Sequence, residues 1–416
     1  MLRGLRAKTG DRTVAARFLS ASSKRFALCL LFLLGCFLTP RQASAFAWTV
    51  RHGYTQCTPC HVDPSGGGIL TNYGRALADE AIRMRFPGEA EESGDAAPSA
   101  RFLWGVPVPE PLLLQGELRY LHLEQKIEHT PTVSRNIWMQ ADFEAALALE
   151  RFVVSASIGY ADEGSLPAAL TREPEQNLVS RYHWLGYSLL DNALLLRAGR
   201  INLPFGLRGI EHTLWARART RTSVNADQQY GVAASYADQR FRAELMAIAG
   251  NLQLRPDDFR ERGYSGYFEW ALDSRLTAGA SSLIVHRDLD PSTLKETWRQ
   301  AHGLFGRWAS SWEPLVLLTE WDFALESPRR APWRKGFVGF LQADVEVFQG
   351  MHLIGTGEAQ NIGVQGPPLS WGTWLSYAWF FAPHADLRFD SVYQHIGSSA
   401  GSTAALSLLL QGHLYL

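Results

Sequence analysis

The chain has 416 residues, of which 46% are apolar and 19% are charged, and this balance excludes both an intrinsically disordered chain and a helical membrane protein. Aromatic residues reach 12%, with 14 Trp among them, a density that favours long interfacial girdles over a compact cytosolic core. The formal net charge is −1, and no basic patch of the kind that binds nucleic acid is evident, so we expect no nucleic-acid partner.

Residues 1–45 are predicted to be a signal peptide. A basic region precedes an apolar run from Phe26 to Leu38, and Ala43-Ser44-Ala45 then form a small-residue cleavage site before Phe46. The apolar run is only 13 residues long, which makes a permanent anchor the weaker interpretation, and a lipoprotein attached at Cys36 is a further alternative. Cleavage would leave 32 basic and 40 acidic side chains, a net charge of −8.

Two cysteines remain after cleavage, Cys57 and Cys60, and His61 follows them in the spacing Cys-x-x-Cys-His. This spacing predicts one covalent haem c, because two thiols bond to the haem vinyl groups and the adjacent imidazole becomes the proximal iron ligand. The alternatives are a short disulfide, a thioredoxin-type redox pair and half of a zinc site. A disulfide across so short a loop adds little stability, and neither a βαβ setting nor a second pair of zinc ligands is evident nearby.

Residues 46–87 are predicted to be a small α-helical monohaem cytochrome c segment. Apolar residues recur at steps of three and four over 69–85, which predicts a helix that covers one side of the porphyrin and ends before Pro87. Met84 is the first candidate for the distal iron ligand and His52 the second, and an open or water-filled position is the third option. A segment of this length is marginal as an independent fold, so we expect it to need haem and a neighbouring surface.

Residues 88–111 read as a linker because they are rich in Gly, Glu, Ala, Ser and Pro. From residue 112 to residue 416, strand-length segments of alternating polarity are divided by turn residues. In Phe152–Tyr160, for example, the alternate residues from Phe152 to Tyr160 are apolar or aromatic and the others are mostly Ser and Gly.

Alternation alone also fits a soluble sandwich, and three further features favour a membrane barrel. Strands about ten residues long match a tilted bilayer crossing. Trp and Tyr cluster near strand ends, and the chain ends in an alternating strand, Leu408–Leu416. The predicted fold is therefore all-β, a transmembrane antiparallel barrel of about 16 strands at 112–416, with short turns on one rim and long loops on the other.

The loop after the fifth predicted strand is rich in basic residues. It contains Arg200, Arg208, His212, Arg217, Arg219 and Arg221. These side chains are expected either to line an anion path or, in the simpler interpretation, to belong to a folded constriction loop whose charges are satisfied.

The leader, the motif Cys57-x-x-Cys60-His61, the stretch Leu70-Thr71-Asn72-Tyr73-Gly74-Arg75 and the barrel pattern together resemble the fused cytochrome–porin family of outer-membrane electron carriers, as in iron-oxidising bacteria. The resemblance implies a redox carrier rather than a classical enzyme, located in outer-membrane lipid, with its haem segment periplasmic or within the lumen. It implies electron flow between an extracellular redox partner, such as Fe(II), and a periplasmic cytochrome or other carrier, in either direction.

The alternative function is a solute porin whose haem segment is a plug, a sensor or a docking element. A sheath for a multihaem partner is a third option, although such sheaths usually carry no haem of their own. A haem seated in the pore would explain the fusion, since a single haem cannot bridge a bilayer core roughly 30 Å thick.

Overall fold

The computed structural model describes residue 51 and residues 57–86, 102–160, 178–207, 214–250, 260–290, 293–312, 314–364, 368–398 and 401–416. The predicted signal peptide, His52 and most of the predicted linker lie outside these ranges. None of the helices in the described ranges is long and apolar enough to cross a membrane.

The described residues form seventeen β-strands in one antiparallel sheet. They are β1 (Leu112–Ile127), β2 (Val133–Leu149), β3 (Phe152–Tyr160), β4 (Leu178–Val179), β5 (His183–Leu189), β6 (Leu194–Ile201), β7 (Gln229–Ala237), β8 (Phe241–Gly250), β9 (Glu261–Ala271), β10 (Leu276–Arg287), β11 (Thr297–Ala309), β12 (Leu315–Pro328), β13 (Arg334–Phe348), β14 (Met351–Gly363), β15 (Ser370–Ala382), β16 (Ala385–Ser398) and β17 (Gly401–Tyr415).

The sheet closes on itself because β1 pairs with both β2 and β17, from Glu117 opposite Tyr415 to Ile127 opposite Ala405. The two-residue strand β4 pairs with the same strand, β3, as β5 does, so β4 and β5 form one crossing. The described strands therefore make a closed barrel of sixteen crossings, which confirms the predicted strand number. Full closure removes the unpaired edges that an open sheet would expose.

Polarity is inverted relative to a soluble protein. Glu144, Glu269 and Asp322 are almost fully buried on the inner face, whereas Leu304 and Leu375 are 70% and 63% exposed on the outer face. An apolar exterior around a charged interior is what a bilayer requires of a barrel, because lipid takes the place of a hydrophobic core. The strand alternation therefore belongs to a membrane barrel and not to a soluble sandwich.

Connections on the two rims differ in length. On one rim, two to five residues join neighbouring strands, as between β13 and β14 or between β15 and β16. The N-terminal end of β1 and the C-terminal end of β17 lie at the same rim. On the other rim, the longest connection, 202–228, joins β6 to β7. Part of it folds into the lumen, where Phe205 and Leu203 are fully buried against the inner wall.

The helix predicted over 69–85 is shorter in the structure. Ile69 and Leu70 are extended, because Leu70 forms an antiparallel bridge with His61. Helix α1 (Asn72–Leu77) begins after Thr71, whose hydroxyl accepts a hydrogen bond from the Gly74 N–H, and it continues as one π-helical turn over Ala78–Ile82. A 3₁₀ turn, Phe102–Trp104, precedes β1, and helix α2 (Trp215–Thr220) lies in the loop between β6 and β7.

Candidate functional site

Cys57, Cys60 and His61 lie on a single tight turn. The N–H groups of Cys60 and His61 both donate to the carbonyl oxygen of Cys57, at 3.1 and 2.9 Å. The turn is tied to α1, since the Thr71 N–H donates to the Cys60 carbonyl at 2.9 Å and the Thr71 hydroxyl donates to the Pro59 carbonyl at 2.6 Å. These bonds bring the two thiols and the imidazole together within one turn of chain.

Two glycines allow the chain to fold tightly around this turn. Gly66 has φ +87°, and a Cβ atom there would lie 2.8 Å from the sulfur of Cys57. A Cβ atom at Gly74 would overlap the carbonyl oxygen of Cys60. Glycine is required at Gly66 by its backbone conformation and by the close approach of a cysteine, and at Gly74 by the close approach alone.

The motif lies inside the barrel and contacts its inner wall on several sides. Arg242 of β8 donates from Nη1 to the sulfur of Cys57 at 2.7 Å. Arg197 of β6 forms a buried ion pair with Asp63 at 2.8 Å. The Leu70 N–H donates to the side chain of Gln115 on β1 at 2.9 Å. Residues 57–86, which carry the motif, are called the motif segment. Because β1, β6 and β8 stand at different positions around the barrel, this segment occupies the lumen.

The segment leaves the lumen at the rim with short turns. The Met84 N–H donates to the Phe380 carbonyl of β15 at 2.7 Å, and the side chain of Gln349 donates to the carbonyl oxygens of Glu80 and Arg83 at 2.8 and 3.0 Å. Gln349 lies in the turn between β13 and β14. Residues 57–86 therefore run from the interior to this rim.

Cys57, Cys60 and His61 line a cavity of about 290 Å³ inside the barrel, close to the smallest volumes that bind organic ligands. Apolar side chains contribute to its lining from the motif segment, from the loop between β6 and β7 (the inward loop) and from the barrel wall. They are Leu70, Leu77, Ile82, Leu207, Leu214, Phe305, Leu318, Phe340 and Phe380. Six guanidinium groups also line it: Arg119, Arg181, Arg217, Arg242, Arg307 and Arg388.

These lining groups are the ones that a covalent haem needs. Two thiols can form thioethers, an imidazole can bind iron, apolar walls can cover a porphyrin, and guanidinium groups can pair with its propionates. The sulfurs of Cys57 and Cys60 are not bonded to each other. Burial, with a smaller contribution from Cys57, raises the pKa of the Cys60 thiol to about 11.

His61 is in a suitable state to bind a metal. Burial lowers the pKa of its imidazole, which favours the neutral form. Its Nδ1 atom lies 3.4 Å from the carbonyl oxygen of Gly68, and donation to that oxygen selects the tautomer that keeps a lone pair on Nε2.

The structure does not bring Met84 into this cavity. The side chain of Met84 lies at the rim, where its sulfur accepts a hydrogen bond from the indole of Trp379 at 3.3 Å, and Met84 is not among the residues that line the cavity. His52 lies outside the described residues. The assignment of either residue as distal ligand remains a prediction.

Two arginines of the basic loop between β6 and β7 are paired with carboxylates, Arg219 donates to the side chain of Gln360, and Arg200, at the end of β6, donates to the carbonyl oxygen of Arg181. Arg217 of α2 pairs with Glu320 of β12, the Trp215 N–H donates to Glu358 at 2.8 Å, and Arg221 pairs with Asp290 at 2.6 Å. This supports the simpler interpretation of a folded constriction loop. Arg208 and His212 lie outside the described residues.

Sequence reasoning missed Arg242 and His413, both of which line the cavity. Strand alternation places each of them on the inner face, since their neighbours Leu245, Leu410 and Leu414 face outwards. No local signal distinguished them from the other lumen residues, because their proximity to the motif depends on where the segment enters the barrel.

No protein-family model and no curated protein matches the chain. Several solved structures share its fold. OmpTΔL8, a loop-deletion mutant of the outer membrane protein OmpT of Vibrio cholerae, has a TM-score of 0.53 and 13% identity over 73% of this chain and 99% of its own.

Two further structures agree with this similarity. The outer membrane channel DcaP of Acinetobacter baumannii has a TM-score of 0.55 and 11% identity over 73% of this chain and 97% of its own. An anion-selective porin from Comamonas acidovorans has a TM-score of 0.54 and 10% identity over 73% and 99%. At such identities the similarity establishes the fold, that of the porin barrels, and nothing finer.

Proposed function

We propose that the chain is an outer-membrane redox carrier in which a porin-type barrel encloses a segment with one covalent c-type haem, and that it passes electrons between an extracellular partner and a periplasmic carrier. The observation that carries the proposal is the position of Cys57, Cys60 and His61 on the wall of a cavity inside the barrel. An isolated Cys-x-x-Cys-His match has little structural context, whereas here its three reactive side chains line a cavity inside the barrel.

The chain's own residues would each have a defined task. Cys57 and Cys60 would hold the group covalently, and His61 would supply the proximal nitrogen in the tautomer favoured by Gly68. When bound, the haem supplies one-electron chemistry. The strands and the inward loop would limit access of water and bulk solute, so that electron exchange is confined to partners that dock at the mouths.

Covalent attachment is tested first. Purified protein is run on a denaturing gel with and without boiling and stained for haem, and its pyridine haemochrome spectrum is recorded. We expect stain on the chain in both lanes, a heat-dependent change in mobility that reports the folded barrel, and loss of stain in the Cys57→Ser/Cys60→Ser double variant. A folded barrel without haem would contradict the proposal.

Electron transfer is tested in proteoliposomes. A membrane-impermeant reductant is added outside, and an impermeant oxidant such as ferricyanide is enclosed inside. We expect rapid reduction of the enclosed oxidant with the haem-loaded protein and none with the double cysteine variant. Equal rates for the two proteins would show that small molecules leak through the barrel instead.

A second candidate function is a solute porin whose motif segment is a plug. It is supported by the porin fold and by the contacts of the segment with the inner wall, above all the Asp63–Arg197 ion pair. In Asp63→Asn, Arg197 keeps its second partner, Glu244, so the segment is loosened without stranding a buried cation.

The two functions predict different results for Asp63→Asn in planar bilayers. A regulated porin should show a large increase in ion conductance when the plug is loosened, with Glu128→Gln in an exposed loop as the matched control. A dedicated redox carrier should show low conductance in the unaltered protein and in both variants, together with haem-dependent electron transfer.

A further inference from the structure

The proposed function gives the haem iron a proximal ligand, His61, and requires a residue on the distal side; the inference drawn here rests on that function. We propose that His413, on the last strand of the barrel, is the distal axial ligand of the haem iron. The barrel wall would then complete the coordination of a haem that is attached to the segment inside it.

The side chain of His413 is held in a defined orientation. It lies on the inner face of β17, 87% buried, and its Nδ1 atom is 2.8 Å from a carboxylate oxygen of Asp386 on β16. The neighbouring ring of Tyr415 packs against it, with ring centroids 5.1 Å apart. The imidazole is therefore fixed by one hydrogen bond and one ring contact.

The other nitrogen of His413 has no such contact. Nε2 is buried and has no hydrogen-bond partner within the part of the chain that the structure describes. A buried polar nitrogen left in this state costs free energy unless something binds it. Since His413 lines the same cavity as Cys57, Cys60 and His61, the group that satisfies Nε2 would be one that occupies that cavity.

The pairing with Asp386 is the arrangement that metal-bound histidines use. A carboxylate that accepts the Nδ1 proton fixes the tautomer with a lone pair on Nε2 and makes that nitrogen a stronger ligand. His61 has the corresponding arrangement, with Gly68 as its acceptor. Two histidines of the cavity lining thus each turn Nδ1 towards an oxygen, and for His413 this makes Nε2 the atom that would bind iron.

The two histidines are tied to different points of β1. His61 is bridged to Leu70, which is bonded to Gln115 of β1, whereas His413 is paired in register with Arg119 of the same strand. Four residues of an extended strand span about 13 Å. The residues of β1 to which the two histidines are tied therefore stand at different depths of the lumen.

Spectroscopy of the ferric protein tests this assignment. We expect a low-spin haem with the electron paramagnetic resonance signal of two imidazole ligands. In His413→Ala the haem should become high-spin, and added imidazole should restore the low-spin signal. In His413→Met the spectrum should become that of a His/Met haem, and the reduction potential should rise because a thioether favours the reduced iron.

His352→Ala is the matched control. His352 is a buried lumen histidine whose Nδ1 lies 2.9 Å from Asp344, but it does not line the cavity. This variant should leave the spin state unchanged. Heat-dependent gel mobility verifies that each variant forms a barrel, so that a misfolded protein is not mistaken for loss of a ligand.

The results separate this assignment from the proposed function. Absence of a pyridine haemochrome would overturn the proposed function as a whole. Covalent haem with a high-spin spectrum in the unaltered protein, or an unchanged low-spin spectrum in His413→Ala, would overturn the role of His413 alone. Loss of the low-spin signal in Met84→Ala or His52→Ala, but not in His413→Ala, would identify one of those residues as the ligand.

Discussion

The guanidinium of Arg242 on β8 donates a hydrogen bond to the sulfur of Cys57 across 2.7 Å. The same side chain lies 3.6 Å from Glu269 and stacks over the ring of Tyr267 at 5.0 Å. A fixed positive charge of the barrel wall is thereby held beside an atom that would form one of the thioether links to the haem. The charge of Arg242 is thus expected to influence the reduction potential of a haem bound to the motif.

Replacing Arg242 by Gln should lower the reduction potential of the proposed haem. A nearby cation favours the reduced state, which carries one positive charge less, and its removal should shift the midpoint by on the order of 50 mV, where 59 mV corresponds to a tenfold change in the equilibrium for one electron. Potentiometric titration followed by absorbance measures the shift. Arg262→Gln, at an exposed rim position, should leave the midpoint unchanged, and a rise in potential for Arg242→Gln would contradict the argument.

Gly74→Ala should reduce the haem content of folded protein. The added Cβ would overlap the Cys60 carbonyl oxygen, so the turn that carries the motif must move away from α1. The ratio of haem absorbance to protein absorbance measures the loss. Gly355→Ala is the control, because a Cβ there meets no described atom within 4 Å. Equal haem content in both variants would show that the turn tolerates this displacement.

The reactivity of Cys60 in haem-free protein should increase far into the alkaline range. Burial raises its pKa to about 11, and only the thiolate reacts with iodoacetamide. Alkylation, monitored by mass spectrometry in Cys57→Ser, should therefore still be accelerating at pH values where an ordinary thiol has reached its maximal rate. Removal of Cys57 eliminates only the smaller of the two causes, so a midpoint at the ordinary thiol value would show that Cys60 is exposed.

Leu375→Arg should destabilise the barrel in a lipid bilayer. Leu375 lies near the middle of β15 and faces outwards, where an arginine at the bilayer midplane costs about 2–4 kcal/mol. Urea unfolding in lipid vesicles measures the free energy of unfolding. Glu128→Arg in the exposed loop before β2 should have little effect, and equal stability of the two variants would place the outer face of β15 away from lipid.

Most strands of the barrel could be predicted from the sequence, because the alternation of side chains along a strand has a local cause. In Phe152–Tyr160 every second side chain faces lipid and the intervening ones face the lumen, as the period of two predicts. The same pattern in Leu408–Leu416 correctly indicated a closing strand. The brief strand β4 escaped notice because two residues carry no period.

The helix of the motif segment was predicted too long for a physical reason. Apolar residues at steps of three and four extend beyond the described helix, but the bridge between Leu70 and His61 holds the chain extended up to Thr71. Beyond Leu77 the backbone widens into a π-helical turn and ends at Ile82, where the chain meets the wall. Such tertiary contacts override periodicity and leave no local trace in the sequence.

The candidate site could be predicted only in part. The spacing of Cys57, Cys60 and His61 predicts haem attachment, and all three residues line one cavity. Arg242 and His413 come from strands nearly 200 and more than 300 residues further along the chain. Their relevance depends on the register of the strands and on the depth of the segment, both of which are set by long-range packing.

Closure of the sheet through β1 and β17 also has a consequence for how the proposed haem could be attached. The first and last strands form the seam of the cylinder, and the motif precedes the first of them in the chain. Once β1 and β17 are paired, an enzyme that modifies the thiols would have to reach them through a barrel mouth. The inward loop and the motif segment already occupy the space behind it. We therefore expect the proposed haem to be attached while the strands are still unjoined, before the barrel is inserted.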